Sequence, residues 1–563
     1  MKQRAEWRGL ARRLGAMLFA SMLLSPGPAR AAHDQLIIGV AQFPSSLNPD
    51  IDPEVIKSYV LDFALRPITA LDPDWNNACM LCTAVPTLDN GMVRLEPGEG
   101  GQTGMAVTVK LRPGLLWADG APLTTADLAF TAKVGQDARS GFASSHYWTQ
   151  ISRIDVIDAQ TAVMHLKAPD ALFDRLPSLL PEHIEAAAYA RVEAPGDYAK
   201  QSLYNRAPTT PGLYNGPYRI TSYQSGQGIV LEPSEHWAGT QPKLRRIIIK
   251  PIENTSALQA NLMSGDIDMA PGDAPGLTID QVLTLRRQHP DDFTYVFRPA
   301  LTYEHVDLNL DNPILKDVRV RRALLYALDR KTMVGKMFEG LQPVADSFVN
   351  PLDPVYSSKA PHYPFDPAKA RALLAEAGWT PSGDDGICRN AAGTRLSLEF
   401  GTTTGNRLRE LQQQVMQSQW KAVCVEITIH NEPARTFFGE TLKHRSFGAL
   451  TMYAWTTSVA GPPRQMLGSD MVPTAANGYG GTNFPNFRNA AMDAGIKTVE
   501  TELDTPKRMA AWADIQRIYA DQLPVLPLFF RAEPYVLPKW LKGVTPTGSS
   551  DYSSLWAENW RSE

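Results

Sequence analysis

Short stretches of alternating apolar and polar residues recur along this chain, separated by stretches with helical spacing. Alternation over about four to eight residues is typical of strands, and recurrence at every third or fourth position is typical of amphipathic helices. At a length of 563 residues, this order predicts an α/β fold in more than one lobe. The predicted strands are 36–40, 107–111, a hairpin over 151–166, 218–220, 229–231, 246–251, 306–310, 396–400 and 424–429, and the predicted helices are 53–65, one starting near Thr125, 255–264, 318–328, 368–377 and 406–420.

The predicted helix at 318–328 carries arginines off its apolar stripe. Such a cluster could bind phosphate or a membrane, but it is more often the solvated face of an amphipathic helix. We therefore expect solvent exposure for Arg319, Arg321, Arg322 and Arg330.

The N-terminal segment differs from the rest of the chain. Basic residues precede an uncharged run over 14–24, and Ala29-Arg30-Ala31 follows a proline-rich break. A basic region, an apolar region and a small-x-small site in this order indicate a secretory signal peptide, and the apolar run is shorter than the roughly 20 residues of a permanent span. Residues 1–31 are therefore predicted to be cleaved, leaving a periplasmic protein that begins at Ala32 or His33.

Removing this segment changes the charge of the chain. It carries six Lys/Arg and one acid, so the remainder has 49 basic and 58 acidic side chains, a net charge of -9 against -4 for the whole. An acidic chain without a basic stripe is a poor nucleic-acid binder, and we expect no nucleic-acid partner. No later stretch approaches 18 apolar residues, so no membrane-spanning helix is expected.

Four cysteines remain, and in an exported protein an even number indicates disulfides, with three pairings open for four residues. Cys79-x-x-Cys82 lies in a predicted loop, which does not suit a redox motif, and Cys388 and Cys424 lack the spacing of a second zinc-binding pair. We expect a Cys79–Cys82 bridge. We also expect a Cys388–Cys424 bridge, because Cys388 lies just before the strand at 396 and Cys424 opens the strand at 424–429.

Catalytic and metal-binding signatures are missing from the sequence. No G-x-S-x-G, H-E-x-x-H or P-loop motif is present. Asp72-x-Asp74-x-Asn76 begins like a calcium loop, but Asn77 replaces the required glycine and Thr83 the closing glutamate. We expect no enzyme activity, no metal site and no cofactor.

Several separate stretches resemble the large periplasmic binding proteins of ABC transporters for dipeptides, oligopeptides, nickel and related solutes. They are VKLRPGLLWADGAPLTTADLAF at 109–130, NGPYRI at 215–220, 235–269, VDLNLDNPILKDVRVRRALLYALDR at 306–330 and FDPAKARALLAEAGW at 365–379. These stretches span nearly the whole mature chain in the family's order. One scaffold hosts many ligands, so the resemblance is less specific for the ligand than for the fold.

The resemblance implies a periplasmic binding protein-like fold, with two lobes that close on a ligand and a third lobe appended to the first. Several chain crossings between lobes suit closure around a ligand. The implied division is lobe one at 32–76, 214–298 and 523–563, lobe two at 77–213 and lobe three at 299–522.

In peptide binders of that family, a strand of the third lobe ends in a tryptophan, and an aspartate three positions later pairs with the peptide's α-amino group. Here Trp455 is in place, but Ser458 stands at the acidic position. The resemblance implies a ligand site that includes Trp455, Thr456 and Ser458 and lacks the acidic anchor, unless Glu304 or Asp470 replaces it. We expect free di- and tripeptides to bind weakly, and ligands with a neutral or blocked end to bind better.

Further candidates are aromatic or polar residues at strand ends and in loops that would face the cleft. They are Tyr303, Glu304 and His305 before the strand at 306, Tyr147 and Trp148 in lobe two, Asn477 and Tyr479 after the Trp455 loop, Phe43 and Ser45 after the first strand, and Arg435 as a partner for a carboxylate.

Three functions remain open. The first is capture of a peptide-like solute for ABC permease subunits in the inner membrane, by a monomer. The second is presentation of a ligand to a membrane sensor, and the third, disfavoured by the missing motifs, is a secreted hydrolase. Within transport, the ligand could also be a sugar, an opine-like conjugate or a metal chelate.

Overall fold

The computed structural model describes residues 33–143 and 145–563, so the predicted signal peptide lies outside the described residues. The strands are β1 (Gln35–Val40), β2 (Thr69–Leu71), β3 (Asn77–Cys79), β4 (Val93–Pro97), β5 (Thr103–Lys110), β6 (Ile151–Val156), β7 (Thr161–Leu166), β8 (Tyr218–Gln224), β9 (Gly228–Pro233), β10 (Arg246–Pro251), β11 (Phe293–Leu308), β12 (Thr380–Pro381), β13 (Cys388–Arg389), β14 (Ser397–Gly401), β15 (Glu426–Ile429), β16 (Leu450–Thr456), β17 (Val525–Pro538), β18 (Leu541–Lys542) and β19 (Arg561–Ser562).

The α-helices lie between these strands. They are α1 (Val55–Leu61), α2 (Thr125–Gln136), α3 (Ser145–Gln150), α4 (Glu182–Tyr189), α5 (Asp197–Gln201), α6 (Leu203–Arg206), α7 (Thr255–Ser264), α8 (Ile279–Gln288), α9 (Val318–Tyr326), α10 (Arg330–Phe338), α11 (Pro367–Glu376), α12 (Arg407–Lys421), α13 (Ala434–Thr436), α14 (Arg464–Leu467), α15 (Ala490–Thr501) and α16 (Thr505–Gln522).

Lobe one is built on a four-stranded sheet in the order β1-β10-β9-β8. β1 runs parallel to β10, and β8 and β9 form a hairpin. Leu36, Ile38 and Val40 alternate along β1 and are all buried, as are Ile247 and Ile249 on β10. This alternation explains why the strands were predictable from the sequence.

Lobe two contains the antiparallel sheet β4-β5-β7-β6, with α2 packed beside it. The start of α2 is set by a reciprocal cap. The Thr124 side chain accepts a hydrogen bond from a backbone N–H in the first turn of α2. The Asp127 carboxylate in turn accepts a hydrogen bond from the Thr124 backbone N–H. The predicted helix start near Thr125 is confirmed.

Lobe three contains the mixed sheet β15-β14-β16-β11-β17, in which β11 is antiparallel to both β16 and β17. β11 has 16 residues and is much longer than the predicted strand at 306–310. Its first half packs with lobe one around Phe297 and Val536, and its second half packs with lobe three around Val306 and Leu528. The first part of β17 packs in the same cluster as Val306, and the predicted boundary at 523 between lobes three and one stays a prediction.

Two arginines of the predicted solvated face are buried, so that expectation is wrong for them. Arg321 donates to the Gln522 carbonyl oxygen, with the Nη2 atom 2.6 Å away. Arg330 donates to the carbonyl oxygens of Ala345 and Pro527. Backbone carbonyl oxygens replace water around each guanidinium, which allows a charged group to be buried.

Both predicted disulfides are present. Cys388 and Cys424 have Cα atoms 5.1 Å apart, and the Cys388 N–H also donates to the Cys424 carbonyl. Cys79 pairs with Cys82 at the end of β3, so the first cysteine ends a strand and does not lie in a loop as predicted. Among the residues described, no helix has the length and apolar content to span a bilayer.

Candidate functional site

The candidate site lies where β11 and β16 run side by side. Tyr303 and Trp455 are paired across the two strands, and Tyr453 and His305 lie on the same face because side chains alternate along a strand. Trp455 is half-buried and packs against the apolar cluster that includes Tyr453 and Phe484. The indole therefore keeps an accessible face at the end of the sheet.

The loop after Trp455 is held on several sides. Thr457 donates its N–H to the Leu301 carbonyl at 3.3 Å, and the Ala460 N–H donates to the Asp353 carboxylate at 2.8 Å. Val459 is buried against Leu71, Trp75 and Leu301. Thr456 and Ser458 remain exposed, so this loop presents short hydroxyl side chains to solvent.

Lobe two reaches this loop through the segment that follows β7. The Arg175 Nη2 atom donates to the Val459 carbonyl oxygen at 3.0 Å. The Ala171 N–H donates to the Glu500 carbonyl oxygen at 2.8 Å. These two bonds connect lobe two directly to lobe three, beside the residues that the sequence predicted as the ligand site. Arg175 is half-buried at this junction.

Glu304 does not face this junction, so it cannot replace the missing acidic anchor. It lies on the opposite face of β11, is 1% exposed and accepts from Arg409 and Arg531. Burial alone would raise the pKa of Glu304, but Arg531 and Arg409 outweigh burial and hold that pKa below its ordinary value. Asp470, the other suggested substitute, is paired with Arg464 at 2.6 Å.

Tyr303 and His305 support the sheet from within, which corrects their predicted placement at the cleft surface. Both are buried. The hydroxyls of Tyr303 and Tyr519 are 2.6 Å apart, and the Tyr453 hydroxyl donates to Asp307 at 2.6 Å. His305 lies 3.4 Å from Asp307, beside a cavity of about 20 Å³ that has room for one water molecule.

Trp148 is a core residue of lobe two, which also corrects its prediction. Its side chain is fully buried, and a Cβ added at Gly135 would lie 2.4 Å from the indole. Tyr147 packs edge-on against Trp148, with ring centroids 5.0 Å apart, and its hydroxyl is buried without a partner among the described residues. Burial raises the pKa of Tyr147 above its ordinary value, so this phenol stays protonated.

Phe43 and Ser45 lie in lobe one, and no contact with Trp455 is found among the described residues. The Phe43 ring packs against Tyr223 with centroids 5.6 Å apart, and the Ser45 N–H donates to Glu54 at 3.0 Å. The residues that follow are bound to lobe two, because the Leu47 N–H donates to Asn205 Oδ1 and the Asn48 Nδ2 donates to Ser202 Oγ.

Asn477 closes a turn and has both ends of its carboxamide occupied. Its Nδ2 donates to the Val472 carbonyl, and its Oδ1 accepts from the Thr474 N–H, each at 2.9 Å. Asn477 is exposed and has this structural role, and its contact with a ligand stays a prediction. Tyr479 is half-buried and packs edge-on against His444 at 4.4 Å.

Arg435 is exposed on α13 and makes no hydrogen bond or ion pair with the residues described. The same segment contributes Phe438, which is 47% exposed and packs edge-on against Tyr453 at 6.0 Å. Phe438 packs on Tyr453, and Trp455 packs against the cluster that contains Tyr453. Phe438 was not predicted, because an FF pair before a glycine gives no sequence signal that separates a pocket from a core.

Buried carboxyl groups of lobes one and three lie near the same junction. Burial raises the pKa of Asp353 and of Asp551, and the positive charge of Arg175 only partly opposes that effect. Burial also raises the pKa of Asp62 and of Glu533 well above their ordinary values. Burial therefore makes ionisation of these carboxyl groups less favourable.

Within the described part of the chain, no group of three or more His, Cys, Asp or Glu side chains has a geometry suited to a metal ion. The site therefore offers an aromatic surface, short hydroxyls and one arginine. Such a set can bind a ligand by stacking and neutral hydrogen bonds.

Comparison with known proteins shows the family of this chain. The sequence model of the bacterial extracellular solute-binding proteins, family 5 Middle, matches residues 101–471. The oligopeptide-binding protein AppA of Bacillus subtilis is 24% identical over 517 residues, covering 90% of this chain and 88% of the relative. The nickel-binding periplasmic protein of Escherichia coli is 24% identical over 433 residues, covering 76% and 79%.

Solved structures share the fold over nearly the whole chain. The oligopeptide binding protein of Thermus thermophilus, complexed with a pentapeptide, is 28% identical with a TM-score of 0.67, covering 94% of this chain and 96% of that one. The substrate binding protein CtaP of Listeria monocytogenes is 20% identical with a TM-score of 0.75, covering 94% and 99%. With the family match extending over more than half of its length, this chain belongs to the bacterial extracellular solute-binding proteins of family 5.

Proposed function

We propose that this protein captures a peptide-like solute between lobe two and the β16 end of lobe three, and delivers it to the permease subunits of an ABC importer. The observation that carries the proposal is the junction at which Arg175 of lobe two meets the loop after Trp455. The relatives named for oligopeptides support a peptide-like ligand. The ligand would lie against the exposed face of the indole.

The charges around this junction favour a ligand whose end near Ser458 is neutral or blocked. An ammonium group that leaves water needs a carboxylate partner. Burying it without such a partner costs roughly several kcal/mol of binding free energy. Ser458 offers a hydroxyl only, and Glu304 is occupied by two arginines. Asp353 already accepts from the Ala460 and Val355 N–H groups. A blocked peptide or a peptide conjugate fits this set of groups better than a free dipeptide.

Mass spectrometry of the molecule that co-purifies with the exported protein tests the proposal. We expect a peptide-like molecule without a free α-amine in the wild type, and much less of it in Trp455→Ala. Leu95→Ala is the matched control, since Leu95 is an exposed apolar side chain on β4 of lobe two. A sugar or a metal chelate recovered in its place would overturn the peptide-like assignment.

Transport is tested by uptake of that molecule in cells with and without the gene. Loss of uptake supports the importer role, whereas retained uptake with a lost transcriptional response to the ligand would favour a sensor. The periplasmic location is tested by sequencing the N-terminus of the exported form. We propose that it begins at Ala32 or His33, and a retained Met1 would contradict cleavage.

A further inference from the structure

Lobe two and lobe three touch beside the candidate ligand site, at the end of α15. The Ala171 N–H donates to the Glu500 carbonyl oxygen at 2.8 Å, and Arg175 Nη2 donates to the Val459 carbonyl oxygen at 3.0 Å. Leu503, just after α15, packs against the apolar core that lobes one and two share. We call this surface the interlobe contact and define it by residues 170–175 of lobe two and by Val459, Glu500 and Leu503 of lobe three. The proposed capture of a solute between these lobes requires the interlobe contact to open and close.

Closure brings a carboxyl group from each lobe to the interlobe contact, and the charge of Asp170 acts on the Glu500 carboxyl across it. Asp170 is half-buried, and one of its oxygens accepts from the Leu172 N–H at 2.8 Å, but it makes no ion pair with the residues described. Glu500 is 24% exposed along its side chain and pairs with Arg464 at 3.2 Å. The same arginine lies closer to Asp470, at 2.6 Å. The two carboxyls therefore meet beside a single arginine, which a third carboxyl shares.

The remaining charges around the interlobe contact leave it acidic. Asp174 adds a negative charge on the lobe-two side, while the exposed His146 on α3 acts in the opposite direction. The positive charge of Arg175 acts on Asp353 and Asp551, which are themselves carboxyl groups. The carboxyl groups at this junction therefore outnumber the arginines, with Asp170, Asp174, Asp353, Asp470, Glu500 and Asp551 against Arg175 and Arg464.

Burial at the interlobe contact makes both facing carboxyls retain their protons more strongly. It raises the pKa of Asp170 despite the hydrogen bond from Leu172, and the charge of Asp174 adds to the rise. Burial also raises the pKa of Glu500, although Arg464 opposes the rise. In an open form both side chains meet water, and their pKa values return toward the ordinary ones. The closed form therefore binds more protons than the open form, and a fall in pH favours closure.

We propose that the interlobe contact couples closure to proton uptake, with Asp170 and Glu500 as the groups that take up the protons. The inference rests on the proposed function, because that function requires closure over a solute. A captured solute is then held more tightly at lower pH and released more readily at higher pH. No group of the solute takes part in this coupling, so it acts on the lobes themselves and is measurable without a ligand.

Pulsed electron paramagnetic resonance on the mature protein, dialysed free of bound solute, measures closure directly. Asp89→Cys and Lys443→Cys place one spin label on lobe two and one on lobe three, since both side chains are exposed and no free cysteine occurs among the described residues. The ratio of closed to open molecules should be at least about threefold higher at pH 4.5 than at pH 8. Asp170→Asn combined with Glu500→Gln should remove most of that difference, because neither amide ionises. The asparagine also keeps an acceptor for the Leu172 N–H.

Glu182→Gln is the matched control and should leave the pH difference unchanged, because Glu182 is exposed on α4 of lobe two and makes no ion pair with the residues described. If the double variant does not fold, each single change should still remove part of the difference. An equal ratio at both pH values in the wild type, or a larger closed fraction at pH 8, would overturn the proposal. A pH difference that persists without both carboxyls would assign the effect to other groups and equally overturn it. Since no solute is present, a sugar or metal chelate recovered with the protein would overturn the proposed function only.

Discussion

Tyr303 and Trp455 are directly opposite each other on β11 and β16, but only the tryptophan keeps an accessible face. The Tyr303 hydroxyl lies 2.6 Å from the Tyr519 hydroxyl inside lobe three. We therefore predict different roles for the two aromatic rings, ligand contact for Trp455 and support of the sheet for Tyr303. Mutating each of them separates binding from stability.

Trp455→Ala should weaken ligand binding by at least ~1 kcal/mol if the ligand stacks on the indole. Tyr303→Phe should leave affinity unchanged but lower the free energy of unfolding by about 1 kcal/mol, because the hydrogen bond between the Tyr303 and Tyr519 hydroxyls is lost. Calorimetry with the co-purified ligand and urea unfolding measure the two quantities. Unchanged affinity in Trp455→Ala would assign the indole to the core.

Ser458→Asp should create the acidic anchor that this chain lacks. Binding of an unblocked dipeptide should tighten by about 1.5–3 kcal/mol, the worth of a hydrogen bond to a charged group. Binding of the N-acetylated peptide should not improve, since it has no ammonium. Ser458→Asn is the control, because it matches aspartate in shape and has no charge. Equal gains for Asp and Asn, or tight binding of the free peptide by the wild type, would contradict the proposed site.

The Cys388–Cys424 bridge should contribute strongly to stability. Replacing both cysteines by serine should lower the free energy of unfolding by roughly 3–4 kcal/mol, since the bridge closes a loop with a sequence separation of 36. The same change at Cys79 and Cys82 should cost only about 2 kcal/mol, because the separation there is 3. Urea unfolding gives both values. Thiols that react at 388 and 424 in the oxidised protein would contradict the bridge.

Asp50 should make stability fall as pH rises. Burial raises its pKa from 3.8 to about 7, although the positive charge of Lys57 opposes the rise. Between those two values the folded protein binds more protons than the unfolded chain, so the free energy of unfolding decreases with increasing pH. Asp50→Asn should therefore stabilise the protein by roughly 2–4 kcal/mol at pH 8 and by little at pH 4.

The control for this pH effect is Asp52→Asn. Asp52 is exposed and has a φ of 53°, a conformation that asparagine tolerates. Denaturant unfolding at both pH values should show a much smaller difference for this variant. Parallel pH profiles for the wild type and Asp50→Asn would show that Asp50 is not the group responsible.

Most strands and helices were predictable because their faces differ in burial. Leu36, Ile38 and Val40 show such a contrast on β1. The first half of β11, residues 293–299, was missed because nearly all of its side chains are half-buried, so no apolar face stands out. The burial of Arg321 was missed because its acceptor, the Gln522 carbonyl, is 201 residues away.

The candidate site was only partly predictable for a similar reason. Strand alternation places Tyr303 and Glu304 on opposite faces, but it does not tell which face meets the ligand. The partners of Glu304 are 105 and 227 residues away along the chain. Arg175 carries no signal at all, since a single arginine in a loop is ordinary. Trp455 could be singled out because a family resemblance supplied its position.

The continuous strands β11 and β17 also determine how the molecule can move. Their pairing runs from Phe293 opposite Pro538 to Asp307 opposite Val525, but it is interrupted between Pro299 and Tyr303. Lobes one and two, by contrast, share one continuous apolar core, and the segment after β1 hydrogen-bonds to Ser202 and Asn205 of lobe two. We therefore expect ligand release to reduce to a single mechanical degree of freedom, the bending of lobe three away from lobes one and two at this interruption. Spin labels on lobes one and two should keep a constant separation, and a label on lobe three should move relative to both.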